Sequence, residues 1–200
     1  IHLLPTQIVL QNTPFDLHAA DIHTDFQQVV VDQLNIESDR QRIFVEGTAS
    51  KSEDDAIAVD LQNISLDFVS TLIPPTTPIT FGGEVSGTAS IRRAFDRPIV
   101  LANVSGESFS FNDAYLGSVR AQSWWNNATT SLDFSGRVLS DARDTVAKID
   151  GGYFFANDSL DLFGHADHLD IKFIEPFMAS MLQNIKGTAS GDVHVYGHTQ

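Results

Sequence analysis

The chain has no cysteine, which excludes disulfides, thiolate zinc sites and a cysteine nucleophile. The compartment stays open, because a domain with a sufficient core does without disulfides in periplasm and cytosol alike. Basic residues are scarce: 12 Lys+Arg stand against 26 Asp+Glu, a formal net charge of −14 over 200 residues. Such a charge repels nucleic-acid phosphates and anionic headgroups, so no nucleic-acid partner is expected. The acids are scattered rather than massed, as on a solvated surface that keeps a β protein soluble. Long apolar runs are also missing. Ile99 to Val104 and Gly152 to Ala156 are the longest, far below the ~18 residues that cross a bilayer as a helix. There is no P-loop, dinucleotide fingerprint or Gly-x-Ser-x-Gly elbow. Ile1 opens mid-pattern without a basic n-region, so residues 1–200 are expected to be a single β-rich segment cut from a longer protein.

Apolar and polar residues alternate with period two through most of the chain, as in Ser108-Phe109-Ser110-Phe111 and Ser131-Leu132-Asp133-Phe134-Ser135, the mark of half-buried strands. Polar turn clusters separate them at Lys51 to Asp55, Asn126 to Thr130, Ser140 to Asp144 and Asn157 to Ser159, the spacing of an antiparallel meander. Asn-x-Ser/Thr sequons at Asn63, Asn103, Asn127 and Asn157 are read as chance matches in a chain rich in these residues.

An internal repeat organises the pattern. Phe68 matches Phe173 at an offset of 105 residues, which also superposes Gly47 on Gly152 and 64–68 on 169–173. In both copies the alternation slips phase at one place, from Ile57, Val59, Leu61 to Ile64, Leu66, Phe68, and from Leu160, Leu162, Ala166 to Leu169, Ile171, Phe173. A β-bulge near Asn63 and His168 accounts for both slips. Gly-Thr-Ala-Ser follows at Gly87 to Ser90 and Gly187 to Ser190, and a third copy at Gly47 to Ser50 reads as a strand end. The repeat-like units are about 43–93 and 148–197. Phe177, Met181 and Ile185 lie at helical spacing behind Pro176, which predicts one short amphipathic helix. Pro74, Pro75 and Pro78 restrict the first copy to at most a single turn over Phe68 to Ile73.

Several constellations carry residue types used in metal binding or catalysis. His165-Ala166-Asp167-His168 contains metal-ligand types, but in a strand His165 and Asp167 share a face that His168 leaves. The acids Glu53-Asp54-Asp55 and Asp158 to Asp161 occupy equivalent turns, where Asp is favoured for backbone reasons. No catalytic residue, metal site or cofactor is expected. Trp124-Trp125 puts one indole on each face, while His194, Tyr196 and His198 face away from Val193 and Val195.

Leu169 to Phe177, Gly187 to Gly197, Phe109 to Asn112, Trp125 to Asn127 and Asp158 to Asp161 together resemble repeats of the TamB (translocation and assembly module) family, related to AsmA. The resemblance covers roughly Asp60 to Gly197, with Ile1 to Arg42 carrying only generic strand patterning. It implies a non-enzymatic periplasmic scaffold, part of an inner-membrane-anchored cell-envelope protein. Its apolar sheet groove would take phospholipid or an unfolded outer-membrane protein strand, and regions outside this segment would meet an outer-membrane assembly protein. The expected fold is an all-β, curved, elongated antiparallel sheet, trough-like or an open sandwich, built from two related repeats with one short helix. The candidate groove residues are Ile57, Val59, Leu61, Phe109, Phe111, Leu132, Phe134, Leu160 and Leu162. An extracellular carbohydrate-binding or adhesin β-sandwich using Trp124 or Trp125 is the alternative.

Overall fold

The computed structural model describes residues 1–10, 13–67, 80–112, 114–175 and 184–198. Their alternating sequence is realised as strands: β1 (His2–Leu3), β2 (Thr6–Leu10), β3 (Thr13–Leu17), β4 (Ala20–Thr24), β5 (Val29–Ser38), β6 (Gln41–Ala49) and β7 (Ala56–Ser65). There follow β8 (Phe81–Arg92), β9 (Ile99–Phe111), β10 (Ala114–Asn126), β11 (Ser131–Leu139), β12 (Thr145–Phe154), β13 (Ser159–Asp170) and β14 (Thr188–His198). They form one open antiparallel sheet of 14 strands in the order β1-β4-β5-β6-β7-β8-β9-β10-β11-β12-β13-β14, with β3 pairing β5 and β2 pairing β3 beside that path. The expected edge strands are found at residues 1–10 and 191–198, since β1 and β14 end the order and β2 pairs only β3.

Two compact units divide the chain. Unit 1 is 1–64 with 85–104, and unit 2 is 65–84 with 105–200. Unit 1 holds nearly all the fully buried apolar side chains among the described residues: Phe15, Ala20, Val31, Ala49, Ile64 and Ile99. Unit 2 has only Ala114. Within unit 2 the sheet curls at one end, where Tyr115 and Leu116 of β10 share a cavity of about 230 Å³ with His168, Leu169 and Asp170 of β13.

The phase slips are resolved as the alternation requires. Asn63 (φ 50°) and His168 (φ 52°) both take left-handed backbone inside a strand. Across the His168 bulge the pairing passes from Ala166↔Gly191 to Leu169↔Ala189, so two residues oppose one and the apolar set keeps its face. A serine on the next strand completes each bulge: the Asn63 N–H donates to Ser86 Oγ at 2.8 Å, and the His168 N–H to Ser190 Oγ at 2.8 Å. Both strands end at the repeat offset, Ser65 and Asp170, and each is followed by helical backbone. Gln33 (φ 52°) and Ser108 (φ 53°) make the same excursion in β5 and β9.

Helix is nearly absent from the described residues, and none is long and apolar enough to cross a membrane. The short amphipathic helix is corrected in part. Behind β13 lies a 3-10 turn, Ile171–Ile174, capped by the Asp170 carboxylate accepting from the Lys172 N–H at 2.8 Å. Ile185, expected on that helix, is outside any helix; Phe177 and Met181, like Phe68 to Ile73 in the first copy, lie outside the described residues. With Gly187 two positions on and paired strand beginning at Thr188, the chain at Ile185 is already entering the sheet.

A left-handed position separates backbone demand from side-chain contact. His168→Gly is expected to leave the urea midpoint within about 0.5 kcal/mol of wild type, whereas His168→Val should lower stability by about 1–2 kcal/mol. Equal effects of the two substitutions would contradict the bulge assignment.

Candidate functional site

Registered pairing sorts the side chains of unit 2 onto two faces of opposite character. Directly opposed residues share a face. The row Trp125↔Leu132↔Tyr153↔Leu160↔Gly197 is therefore one line across β10 to β14, and Ser123↔Phe134↔Gly151↔Leu162↔Val195 is the next. Two further rows continue it: Ala121↔Gly136↔Ile149↔Gly164↔Val193 and Val119↔Val138↔Ala147↔Ala166↔Gly191. Apart from Ser123, the Tyr153 hydroxyl and the Trp125 indole N–H, the side chains in the four rows are apolar. The opposite face carries Arg120, Arg137, Lys148, Asp133, Asp150, Asp161, His165 and Asp192.

Leu132, Phe134, Leu160 and Leu162 thus stand together as expected, half-buried rather than sealed. Phe109 and Phe111, also half-buried in unit 2, stack on Phe81 at centroid distances of 6.3 and 5.4 Å. Ile57, Val59 and Leu61 belong to unit 1, where they oppose Gly47, Val45 and Ile43 on that unit's apolar face. The sequence reading missed the residues completing the rows, above all Tyr153, Val193, Val195 and the glycines. Hairpin register, counted back from each turn, was the signal that would have found them.

Among the described residues every strand belongs to one sheet, and the side chains of this face pack laterally against one another. A Cβ at Gly136 would lie 2.9 Å from Ile149 Cγ2, one at Gly151 2.8 Å from Leu162 Cδ2, and one at Gly164 2.7 Å from Val193 Cγ1. Each branched side chain therefore leans over a glycine on the neighbouring strand. Trp125, Tyr153 and Phe155 close one end, with Phe155 edge-on to Trp125 at 5.4 Å and to Tyr153 at 4.8 Å.

On the polar face charges pair locally. Lys148 holds the Asp150 carboxyl below its ordinary range, chiefly through their hydrogen bond. His165 Nδ1 meets Asp192 Oδ1 at 2.7 Å and His194 Nε2 meets Asp161 Oδ1 at 2.6 Å, tying β13 to β14 in both directions. At the bulge, His168 and then Ser190 hydrogen-bond Asp167 and lower its pKa. No group of three or more potential metal ligands forms among the described residues. The tryptophans divide as expected, with Trp124 45% exposed on the polar face and Trp125 half-buried in the apolar rows.

Compared with family models, curated proteins and solved structures, the chain matches none.

The glycine contacts rank two substitutions. At Gly151 a Cβ would also meet the Asp161 carbonyl oxygen at 2.1 Å, a backbone clash that no rotamer relieves. Gly151→Ala is expected to cost about 1–3 kcal/mol. Gly136→Ala meets side chain first and should cost less than half as much by chemical denaturation. The reverse order would show that the face is not packed in this way.

Proposed function

We propose that the chain is a segment of a non-enzymatic cell-envelope scaffold whose apolar sheet face contacts lipid acyl chains. One observation carries this reading. In unit 2 a four-row apolar face has Leu132, Phe134, Leu160 and Leu162 half-buried, while Ala114 is the unit's one fully buried apolar side chain among the described residues. Contiguous apolar surface of this kind marks an interaction site. Each methylene taken from water contributes about 0.8 kcal/mol, so a partly covered chain gains several kcal/mol without any specific contact. Periplasmic placement, membrane anchoring elsewhere in a longer protein and transfer between inner and outer membrane follow from the TamB-like motifs. A nascent outer-membrane strand is the second guest that the resemblance implies. The carbohydrate-module reading has less support, because Trp124, opposite Asp133, has no aromatic partner beside it among the described residues.

Photocrosslinking tests the proposal. A photoreactive side chain at Phe134 should capture phospholipid in the envelope, and Leu132→Asp or Phe111→Asp should reduce the yield roughly tenfold if the charge denies the site about 1.4 kcal/mol or more. Circular dichroism would establish that each variant keeps its strands. Equal crosslinking in folded wild type and variants, or no lipid adduct at all, would sink the lipid reading.

A further inference from the structure

Unit 1 carries a second feature that the apolar face does not explain. The turns joining β4 to β5 (residues 25–28), β6 to β7 (50–55) and β8 to β9 (93–98) meet at one end of the unit and line a cavity of about 780 Å³, within the range of small-molecule sites. Its walls are built by hydrogen bonds. The Phe95 N–H donates to the Ser50 carbonyl and the Arg93 N–H to the Ser52 carbonyl, both at 3.2 Å. Ser50 Oγ donates to Asp55 Oδ2 at 2.6 Å, and Asp25 Oδ1 accepts from the Gln27 and Gln28 N–H groups at 3.0 Å each.

The Phe26 N–H donates to Thr24 Oγ1 at 3.3 Å within the same turn, but its ring takes no part in this construction. Its φ of 69° lies in left-handed space, which costs a bulky residue about 1–2 kcal/mol. Its ring is 100% exposed, so no burial offsets that strain. Phe95, also lining the cavity, is 47% exposed. Strain and exposure together at the rim of a preformed cavity point to a group held for a ligand.

The lining selects the ligand class. An anion would face the Asp25 and Asp55 carboxylates, and a cation would face Lys51, whose charge also acts on Asp96 outside the lining. A wholly apolar molecule would strip water from these groups and return nothing. What remains is a neutral molecule with an apolar side and many hydroxyls. Each hydroxyl both donates and accepts, matching carboxylates, amides and an ammonium in one cavity. We propose that the cavity between Phe26 and Phe95 binds a neutral saccharide, its C–H side against the phenylalanine rings and its hydroxyls on Asp25, Gln27, Lys51 and Asp55. This site is independent of the lipid reading.

Amide NMR of the isotope-labelled chain, titrated with maltotriose and chitotriose as neutral probes and trigalacturonate as the charged one, tests it. Saturable shifts are expected at 25–28, 50–55 and 93–97 with at least one neutral sugar, with trigalacturonate weaker. Phe95→Ser should weaken binding roughly tenfold. Phe26→Gly removes the ring and the backbone strain together, so its thermal midpoint should be no lower than wild type while binding falls roughly tenfold or more. That pairing separates a lost ligand contact from a lost fold. The proposal is overturned by absence of shifts with both neutral sugars, by unchanged binding in Phe26→Gly, or by a short-chain phospholipid perturbing the same amides more strongly than either sugar.

Discussion

Everything in this sheet depends on the parity of the pleat. Successive side chains point to opposite faces, so one uncompensated insertion would send every later apolar residue to the wrong side. The chain contains such insertions, and one left-handed residue stands at each of four of them, Gln33, Asn63, Ser108 and His168, while the register shift between Val138 and Leu139 has none. The two sites at the repeat offset have the same chemistry, a backbone N–H caught by a serine hydroxyl across the ladder. The extra residue thus leaves no unpaired donor, and the apolar set crosses the bulge intact.

Among the described residues all strands lie in one sheet, so its apolar face draws on contacts between neighbouring strands. Unit 2 does so laterally. Its branched residues fill the spaces left by Gly136, Gly151 and Gly164, and three aromatic rings cap one end. Cross-strand pairs of this kind contribute about 0.2–1 kcal/mol each, so stability is spread over many small contacts instead of residing in a buried centre. That explains how large side chains can stay half-exposed without loss of order. Unit 1 differs, because Phe15, Ala20 and Val31 are buried in it, and they come from the stretch whose pattern looked only generic.

The sequence revealed what period two encodes. Strand identity, the turn clusters, both phase slips, the outermost strands and the split of Trp124 from Trp125 were legible, because each depends on neighbours within a few residues. Register was not, since opposing Leu132 to Tyr153 and Tyr153 to Leu160 depends on the length of each turn. Apolar content alone does not place an aromatic either: Phe163 sits on the polar face, 57% exposed and stacked on His194 at 3.9 Å. At Ile185 the expected helical spacing gives way to the approach to the ladder at Thr188. The cavity beside Phe26 was invisible, because Asp25 to Gln28 reads as an ordinary polar turn and the strain is a property of φ.

Geometry also discriminates between the two guests that the resemblance implies. An extended polypeptide laid on the face of a sheet would bring its own N–H and C=O groups against apolar side chains, where nothing satisfies them, at a cost of about 1–3 kcal/mol for each buried group. A strand guest belongs at an edge, where a row of backbone donors and acceptors is offered. The face of unit 2 offers little beyond Ser123, the Tyr153 hydroxyl and the Trp125 indole N–H in four rows of apolar side chains. A methylene chain has no polar groups to satisfy and gains from every contact. The same face that would disfavour a β-strand is therefore better matched to an acyl chain, which is why the proposed function names lipid as the guest.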